Sequence, residues 1–521
     1  MKTVSSILFG VPPLFTDLAK LLAGEIDCSQ ETLTKYSLDG SPYFVRPQAV
    51  IYPKNTTDLK HVIAFGREFM IPITVRGKGS AKTGGSLSEG IVIDMTRYFT
   101  NIKQLNMLNQ TVTVDTGVTV KELKYRLKSW KRDIPFLSSQ DNDSTIGSII
   151  ANKRSTPSSF CHGSIREWIE ALTVVVDSGE EHHLSDGITP SGRLLGIYQS
   201  VFPIILEESA TLRAAKPAHH DDGTGYNAWS TSIGPRQLID ELIGSEGTLG
   251  IITSVTFRLA PQKEHIFTTY IPIDNEELLT SCIEIAKHHQ ADQIFLYDKA
   301  YSNLIAKYRP HILKKPSKTP YTLLVSHSKE TSESLHDTLR HFIKALPIHE
   351  DNLTPLTGTT FIDTITDKTL FFSLIEEYTQ GYLTPITVAD GLIVPLSKYH
   401  DTVAFLENYL GSLGKLYVLT GNAGSGHISA VTLFDHTSPS YHKDLDAYTK
   451  TIYSYIQKTK GGISAKGGEG LSKTPYINYI FNEATMNAFT RIKKAWDPLL
   501  IFNPGKKLSI TTSYLREHTK H

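Results

Sequence analysis

Cysteine is scarce in this 521-residue chain: Cys28, Cys161 and Cys282 are three widely spaced thiols, and their number is odd. They offer neither a disulfide framework nor a zinc spacing, and a reducing cytosol is the simpler setting. Net charge is missing too, since Lys plus Arg and Asp plus Glu balance at 53 each. Without a global basic field the chain has no electrostatic footprint for nucleic acid. No apolar run reaches the ~18 residues that a membrane-spanning helix needs. The first 23 residues are mildly apolar, but Pro12, Pro13 and Asp17 interrupt them. With no compact apolar stretch before a small-residue cleavage site, no signal peptide is read there. Heptads and short-period repeats are absent as well. What remains is an ordinary globular composition, 40% hydrophobic and 20% charged, at a length that suggests roughly two to three domains.

Glycine is not scarce, and it is concentrated. In Ile73-Thr-Val-Arg-Gly-Lys-Gly-Ser-Ala-Lys-Thr-Gly-Gly-Ser86 an apolar β-type run leads into Gly77, Gly79, Gly84 and Gly85, and Ile91-Val-Ile-Asp-Met95 resumes a strand. Such density lets backbone N–H groups converge on one anion, because no Cβ blocks the approach and positive φ is freely available. The expected guest is a pyrophosphate; the plain alternative is a glycine-rich hairpin. Gly85-Ser86 stands where a Walker loop requires Lys-Ser/Thr, and no helix pattern follows the glycines directly, which excludes a Rossmann fingerprint.

Along the rest of the chain, residues 1–45 read as a helical arm with a polar connector. Asn55 to Asp58 offers helix-starting residues before Leu59, Val62 and Ile63. Thr111 to Thr116 alternates as a half-buried strand, and Thr119-Val-Lys-Glu122 has the form of a capping box. Ser144, Thr145 and Gly147 could give hydroxyl and backbone donors to an anion at a helix start, or could form a plain N-cap. Gly244-Ser-Glu-Gly-Thr-Leu-Gly250 sits just before a β-rich run. Strand, glycine and helix recur, so the fold class is α+β.

Four stretches, Pro53 to Asp58, Arg76 to Gly85, Ser144 to Asn152 and Gly244 to Gly250, occur in the order and spacing of the vanillyl-alcohol-oxidase, or PCMH-type, FAD-linked oxidases. The last of them, with Asn503-Pro-Gly-Lys506, most resembles the branch of glycolate oxidase flavoprotein subunits and D-lactate and D-2-hydroxyglutarate dehydrogenases. The resemblance runs from about residue 45 to 507. It implies an N-terminal arm (1–45), a PCMH-type FAD-binding domain (46–264), an α+β cap or substrate domain (265–455) and a segment returning to the FAD domain (456–521). It implies FAD held by Arg76, Gly77, Lys78, Gly79, Ser80, Gly84 and Gly85 as the pyrophosphate loop. It adds Ser144, Thr145, Ile146, Gly147 and Asn152 as a second segment with Gly163 nearby, then Glu246, Gly247 and Ile251, and Asn503. Relatives with covalent flavin often carry histidine at the position of Ser80; serine cannot form that bond, so FAD is expected to be noncovalent.

The branch's two chemical motifs are altered. Its usual Gly-His-x-Gly-Asp-Gly-Asn-x-His is Gly421-Asn-Ala-Gly-Ser-Gly-His-Ile-Ser429, so Asn422 and Ser429 replace two metal-ligand histidines. Its usual Ser-Gly-Glu-His-Gly-Ile-Gly is Ser464-Ala-Lys-Gly-Gly-Glu-Gly470, with Lys466 for the metal-binding glutamate and Gly467 for the catalytic histidine. Asn, Ser and an ammonium do not assemble a divalent-metal site, so no metal is expected. The candidate replacements are Lys466, as a fixed positive charge, and His427, as a base near neutral pH. Their plain alternatives are a solvated turn lysine and a polar strand residue. Lys473, Tyr476 and Tyr479 could also face the pocket.

The expected function is an FAD-dependent oxidoreductase that passes hydride from an alcohol or hydroxy-acid-like substrate to noncovalent FAD without a metal. Two alternatives stand beside it: a flavin-binding protein that has lost dehydrogenase activity and serves as a regulatory partner, and a metal enzyme with other ligands. Expected partners are a small-molecule substrate and an electron acceptor, whether quinone, electron-transfer protein or oxygen. The expected location is cytoplasmic, peripheral to the membrane if quinone is the acceptor.

Overall fold

The computed structural model describes residues 11–219, 222–229, 234–357, 364–366, 368–379, 381, 383–508 and 510–519. Its α+β architecture has three main sheets among those residues, each with its own apolar core.

The first sheet runs in the order Glu25–Asp27, Ala49–Tyr52, Ile91–Asp94, Ile73–Arg76; its first pair is antiparallel and the others parallel. Ala49, Val50 and Ile51 are buried along their whole run, as parallel strands covered on both faces require. Helix Thr56–Glu68 covers one face, with Asn55 as its N-cap accepting the Asp58 N–H at 3.0 Å. The expected arm is woven into this unit. Glu25–Asp27 is its edge strand, and Phe15 and Leu18 are buried in its core. Residues 1–10 of the arm lie outside the described residues.

The second sheet is antiparallel, in the order Ile102–Asn106, Thr111–Asp115, Ile251–Arg258, Ile169–Val175, Glu181–Ser185. Val112 and Val114 point into its core while Thr111 and Thr113 do not, the alternation read from the sequence. The capping box forms: the Thr119 hydroxyl accepts the Glu122 N–H and the Glu122 carboxylate accepts the Thr119 N–H at 2.8 Å, starting helix Val120–Ser129.

The third sheet is ordered Thr354–Thr357, His265–Ile273, Tyr321–Lys329, Gln293–Asp298, Tyr417–Asn422, His427–Phe434, Thr384–Ile386, with Leu392–Ile393 also pairing His427–Phe434. Register gives its two faces different jobs. Leu296, Leu419, Ile428 and Ala430 face the core shared with helices Glu276–His288, Tyr399–Ser412 and Tyr441–Lys458. Phe295, Tyr297 and Val418 lie on the opposite face with Tyr301 and Ile365. Asp298 ends a strand and caps helix Lys299–Tyr308 through the Tyr301 N–H at 2.8 Å.

Residues after 460 stitch these units together. Ile463 and Tyr476 enter the third sheet's core, Phe489, Ile492 and Trp496 the second, Ile501 and Phe502 the first. Buried Asp497 anchors this return: it accepts Lys493 Nζ at 2.7 Å and the Phe502 N–H at 2.8 Å. No helix among the described residues is long and apolar enough to cross a membrane. Removing the Asp497 carboxylate strands a buried ammonium, so Asp497→Ala is expected to lower stability by about 3–5 kcal/mol, read as a lower urea midpoint.

Candidate functional site: a glycine-walled cleft and an adjoining chamber

The strand Ile73–Arg76 delivers the glycine loop into a cleft of about 990 Å³, open to solvent. Of the residues the sequence pointed to, Arg76, Gly77, Lys78, Gly79, Ser80, Gly85, Ser144, Thr145, Gly147, Asn152, Glu246 and Gly247 line this cleft. Gly77 is there because a Cβ would overlap the Thr145 hydroxyl. Gly247 and Gly467 also line it at φ +71° and +84°, and a Cβ on either would meet no protein atom within 4 Å; it would project into the cleft itself. These glycines keep the volume free for a guest.

Five of the expected residues lie behind the wall. Ile146 and Ile251 are fully buried in the second and first cores. Gly84 packs against Tyr43 and Leu471, and Gly163 ends helix Ser159–His162 at φ +74° beside Glu167. Asn503 is a tie: it accepts from Thr74 Oγ1 at 3.0 Å and donates to the Glu246 carbonyl at 2.7 Å and the Gly85 carbonyl at 3.2 Å.

The polar wall is built with few spare groups. The Ile146 and Gly147 N–H groups donate to the Val118 and Thr116 carbonyls at 2.8 Å each, and Thr145 caps Ser148. At this helix start Thr145 forms an N-cap, and carbonyls of the turn after strand Thr111–Asp115 accept the Ile146 and Gly147 amides, while Ser144, Thr145 and Gly147 still line the cleft. Arg76 donates to the Tyr36 and Leu38 carbonyls, at 3.2 and 2.8 Å, and stacks over the Tyr36 ring. Glu246 accepts the Glu469 and Gly470 N–H groups at 2.7 and 2.9 Å, which holds the turn bearing Gly467 against the cleft. One group is spare. Arg154 lines the cleft, is 5% exposed and pairs with Asp141 at 2.6 Å, while its Nη2 has no partner in the described structure.

The second-motif turn borders both this cleft and a smaller adjoining chamber. Gly467 lines the first and Lys466, the preceding residue, lines the second. Phe295, Tyr301, Ile365, Phe371, Phe372 and Val431 make the chamber's apolar wall, and Asp390, Thr366, Thr420 and Ser429 its polar side. Phe372 also lies 4.0 Å beneath the Lys82 ammonium of the glycine loop. Burial pushes the Lys466 ammonium below the usual lysine range, with Asp390 pulling the other way and Arg154 adding to the depression.

His427 departs from the expected base. It is buried, its Nδ1 accepts the Asn422 N–H at 3.0 Å, and its Nε2 lies 3.2 Å from Ser429 Oγ. The backbone donor fixes Nδ1 as the unprotonated nitrogen, so Nε2–H donates to Ser429, which donates on to Asp390 at 2.6 Å. Burial, reinforced by the Lys466 charge, lowers its pKa to about 3. Both nitrogens are occupied and the ring is neutral, so it orients Ser429 and does not collect protons near pH 7. Lys473 spends its ammonium on the Asp390 and Ile463 carbonyls, Tyr476 bonds Asp446 at 2.6 Å, and Tyr479 is exposed. None of these three lines the cleft or the chamber.

Asp390 and Arg154 are the functional candidates that sequence reasoning missed. Asp390 interrupts the apolar run Thr387-Val-Ala-Asp-Gly-Leu-Ile-Val394, and Arg154 follows Asn152 by two residues. An isolated acid in an apolar run and a cation at a helix end were the available signals.

Two family models match the chain. Residues 47–185 match the FAD binding domain and residues 271–507 the FAD linked oxidases, C-terminal domain. The chain is 25% identical over 476 residues to the glycolate oxidase subunit GlcD of Bacillus subtilis, covering 90% of this chain and 91% of that protein. It is 22% identical over 511 residues to the D-2-hydroxyglutarate dehydrogenase of Pseudomonas putida, covering 93% of this chain but 50% of that protein, so it spans about half of that relative's length. Among solved structures, the 4-ethylphenol oxidase from Gulosibacter chungangensis superposes with a TM-score of 0.64 at 14% identity, covering 97% of this chain and 99% of that one.

Two outcomes test the site's construction. Gly77→Val forces side-chain atoms into Thr145 and should reduce bound flavin per purified chain on the order of tenfold, read as the ratio of visible to 280 nm absorbance. His427 has a depressed folded pKa, so its neutral form stabilises the fold above pH 6.5 and that stability is lost as pH falls toward 3. The loss is about 1.4 kcal/mol per pH unit. Between pH 6.5 and 5, His427→Gln should lose about 2 kcal/mol less than wild type, measured by urea unfolding at each pH.

Proposed function

The chain belongs to the PCMH-type FAD-linked oxidase family, with FAD as its cofactor, and on that premise we propose that it oxidises a hydroxy-acid-like substrate through noncovalent FAD without the family's metal. The coarser activity, that of an FAD-linked oxidoreductase acting on CH–OH donors, follows from relatives named for glycolate, D-2-hydroxyglutarate and D-lactate. When bound, FAD supplies a two-electron acceptor that takes hydride from carbon.

The chain's own residues divide the remaining work. The glycines at 77, 247 and 467 leave the cleft clear for the cofactor, and Arg154 offers a buried donor to it or to the substrate. Serine at position 80 has no nucleophilic imidazole for a flavin bond, which supports a noncovalent cofactor. At the four altered positions the donors are an amide, a hydroxyl, an ammonium and a glycine, and the neighbouring imidazole is fully hydrogen-bonded. That set does not suit a divalent cation, so no step is assigned to a metal. The observation that carries the reading is the adjacency of Lys466 and Gly467: one residue faces the chamber and the next faces the flavin cleft. A carboxylate held by Lys466 lies within one residue's reach of the cofactor cleft. In this site the ammonium takes the charge-neutralising part that a metal would otherwise take.

Acid precipitation of the yellow protein should release FAD into the supernatant. Anaerobic mixing with 2-hydroxy acids should bleach the flavin, and Lys466→Met should raise the acid's Kd by about tenfold or more with the flavin content unchanged. Lys466 is charged only below its lowered pKa, so wild-type affinity should fall with rising pH before an ordinary lysine, at 10.5, would titrate; the variant should lack that limb. If dithionite bleaches the flavin and no compound in a broad panel of CH–OH donors does, the chain is a flavin-binding protein without dehydrogenase activity.

A further inference from the structure

The chamber's chemistry is uneven in a way that selects a ligand. Its polar atoms gather on one side. Strand register explains this: Thr420 is paired with Ser429, and each alternates with residues committed to the opposite core. Ser429 is held on three sides, accepting the Gly391 N–H at 3.2 Å and the His427 Nε2–H while donating to Asp390 at 2.6 Å. This places the Asp390 carboxylate on the chamber wall together with Lys466. The remaining wall is six apolar or aromatic side chains. A two- or three-carbon acid would leave that surface without contact, whereas a phenyl or branched alkyl group would cover it.

We propose that the chamber takes a 2-hydroxy carboxylate with an aromatic or bulky apolar side chain, and that Asp390 accepts the proton of its hydroxyl. This rests on the oxidoreductase reading above, with Lys466 holding the carboxylate. In the step, the O–H bond breaks with its proton passing to the Asp390 carboxylate. The C–H bond breaks with its electron pair leaving as hydride to FAD. A carbon–oxygen double bond forms, and the product is a 2-oxo acid. A carboxylate has several lone-pair positions, so Asp390 can accept from Ser429 and from the substrate at once. His427 is a positioning residue, acting through Ser429.

The test uses the FAD-loaded enzyme under anaerobic conditions, with both enantiomers of phenyllactate, lactate and phenyllactate methyl ester as probes. Binding is read from the shift of the flavin's visible band, and reaction from the bleaching rate. One phenyllactate enantiomer should bind about tenfold or more tightly than lactate and far more tightly than its ester. Phe371→Ala should weaken phenyllactate and leave lactate unchanged. Asp390→Asn should keep the phenyllactate Kd within about threefold, slow bleaching by about 10²–10⁴ and remove the acidic limb of the rate profile. Lactate binding and reacting as well as phenyllactate would overturn the substrate class while leaving the oxidoreductase reading in place. Bleaching of Asp390→Asn at the wild-type rate would overturn the base assignment. A flavin that only dithionite can bleach removes the oxidoreductase reading, and this inference with it.

Discussion

Lys507 carries its ammonium into the interior, where it donates to the Gly223 and Gly225 carbonyls at 2.7 and 3.0 Å and lies 3.2 Å from Glu469 and 3.4 Å from Glu246. Two buried carboxylates and one cation are costly to desolvate, roughly several kcal/mol per ion, and such a cluster is tolerated only where geometry satisfies nearly every lone pair and proton. Here the cluster decides the position of everything that borders the cleft. Glu246 sits at φ +54°, a conformation ordinary residues avoid, and from there its carboxylate reaches the N–H groups of Glu469 and Gly470. Burial pushes the Glu469 carboxyl up to about 7 against the pull of Lys507. The turn that presents Gly467 and Lys466 is therefore fixed from beneath by charge, and from the side by Thr83, whose hydroxyl donates to the Gly467 carbonyl at 2.9 Å.

This support acts through backbone geometry, independently of the side chains that border the chamber. Positive φ at Gly426, Gly467, Gly468 and Gly470 belongs to the scaffold: a Cβ on Gly426 would overlap the Val394 carbonyl, and one on Gly470 the Thr83 carbonyl. The side chains at 422, 429 and 466 project from that scaffold, and Ser429 ties it to Gly391, His427 and Asp390. Ser429 accepts the His427 Nε2–H and donates on to Asp390. The site is thus a hydrogen-bonded arrangement on a glycine-shaped backbone, with the Lys466 ammonium on its wall.

What the sequence made legible was local. The Thr119–Glu122 capping box, the Asn55 cap and the alternation of Thr111 to Asp115 depend on residues a few positions apart, and each forms as read. The glycine loop was legible because a steric requirement leaves the same residue whatever the distant partner is. The second segment was half legible: its cap could be read, but the carbonyls of Val118 and Thr116 that occupy its amides lie on another element. His427 was misjudged for the same reason, because nothing near it in the chain announces that it will be fully buried beside Lys466. Asp390 was missed because its partner Ser429 is 39 residues away and Lys466 farther still.

Thr74 and Asn503 are bonded across 429 residues, and Lys506 donates to the Leu87 carbonyl across 419. During synthesis, domains fold as the N-terminal chain emerges, but the first two cores both wait for residues beyond the third sheet: Phe489, Ile492 and Trp496 complete the second, and Ile501 and Phe502 the first. The cofactor cleft waits as well. Its glycine loop lacks the Asn503 tie, and Glu246 lacks Lys507, until the last tenth of the message has been read. Completion of the cleft wall is consequently a late event in the life of each polypeptide, because the ties made by Asn503, Lys506 and Lys507 come from the end of the message.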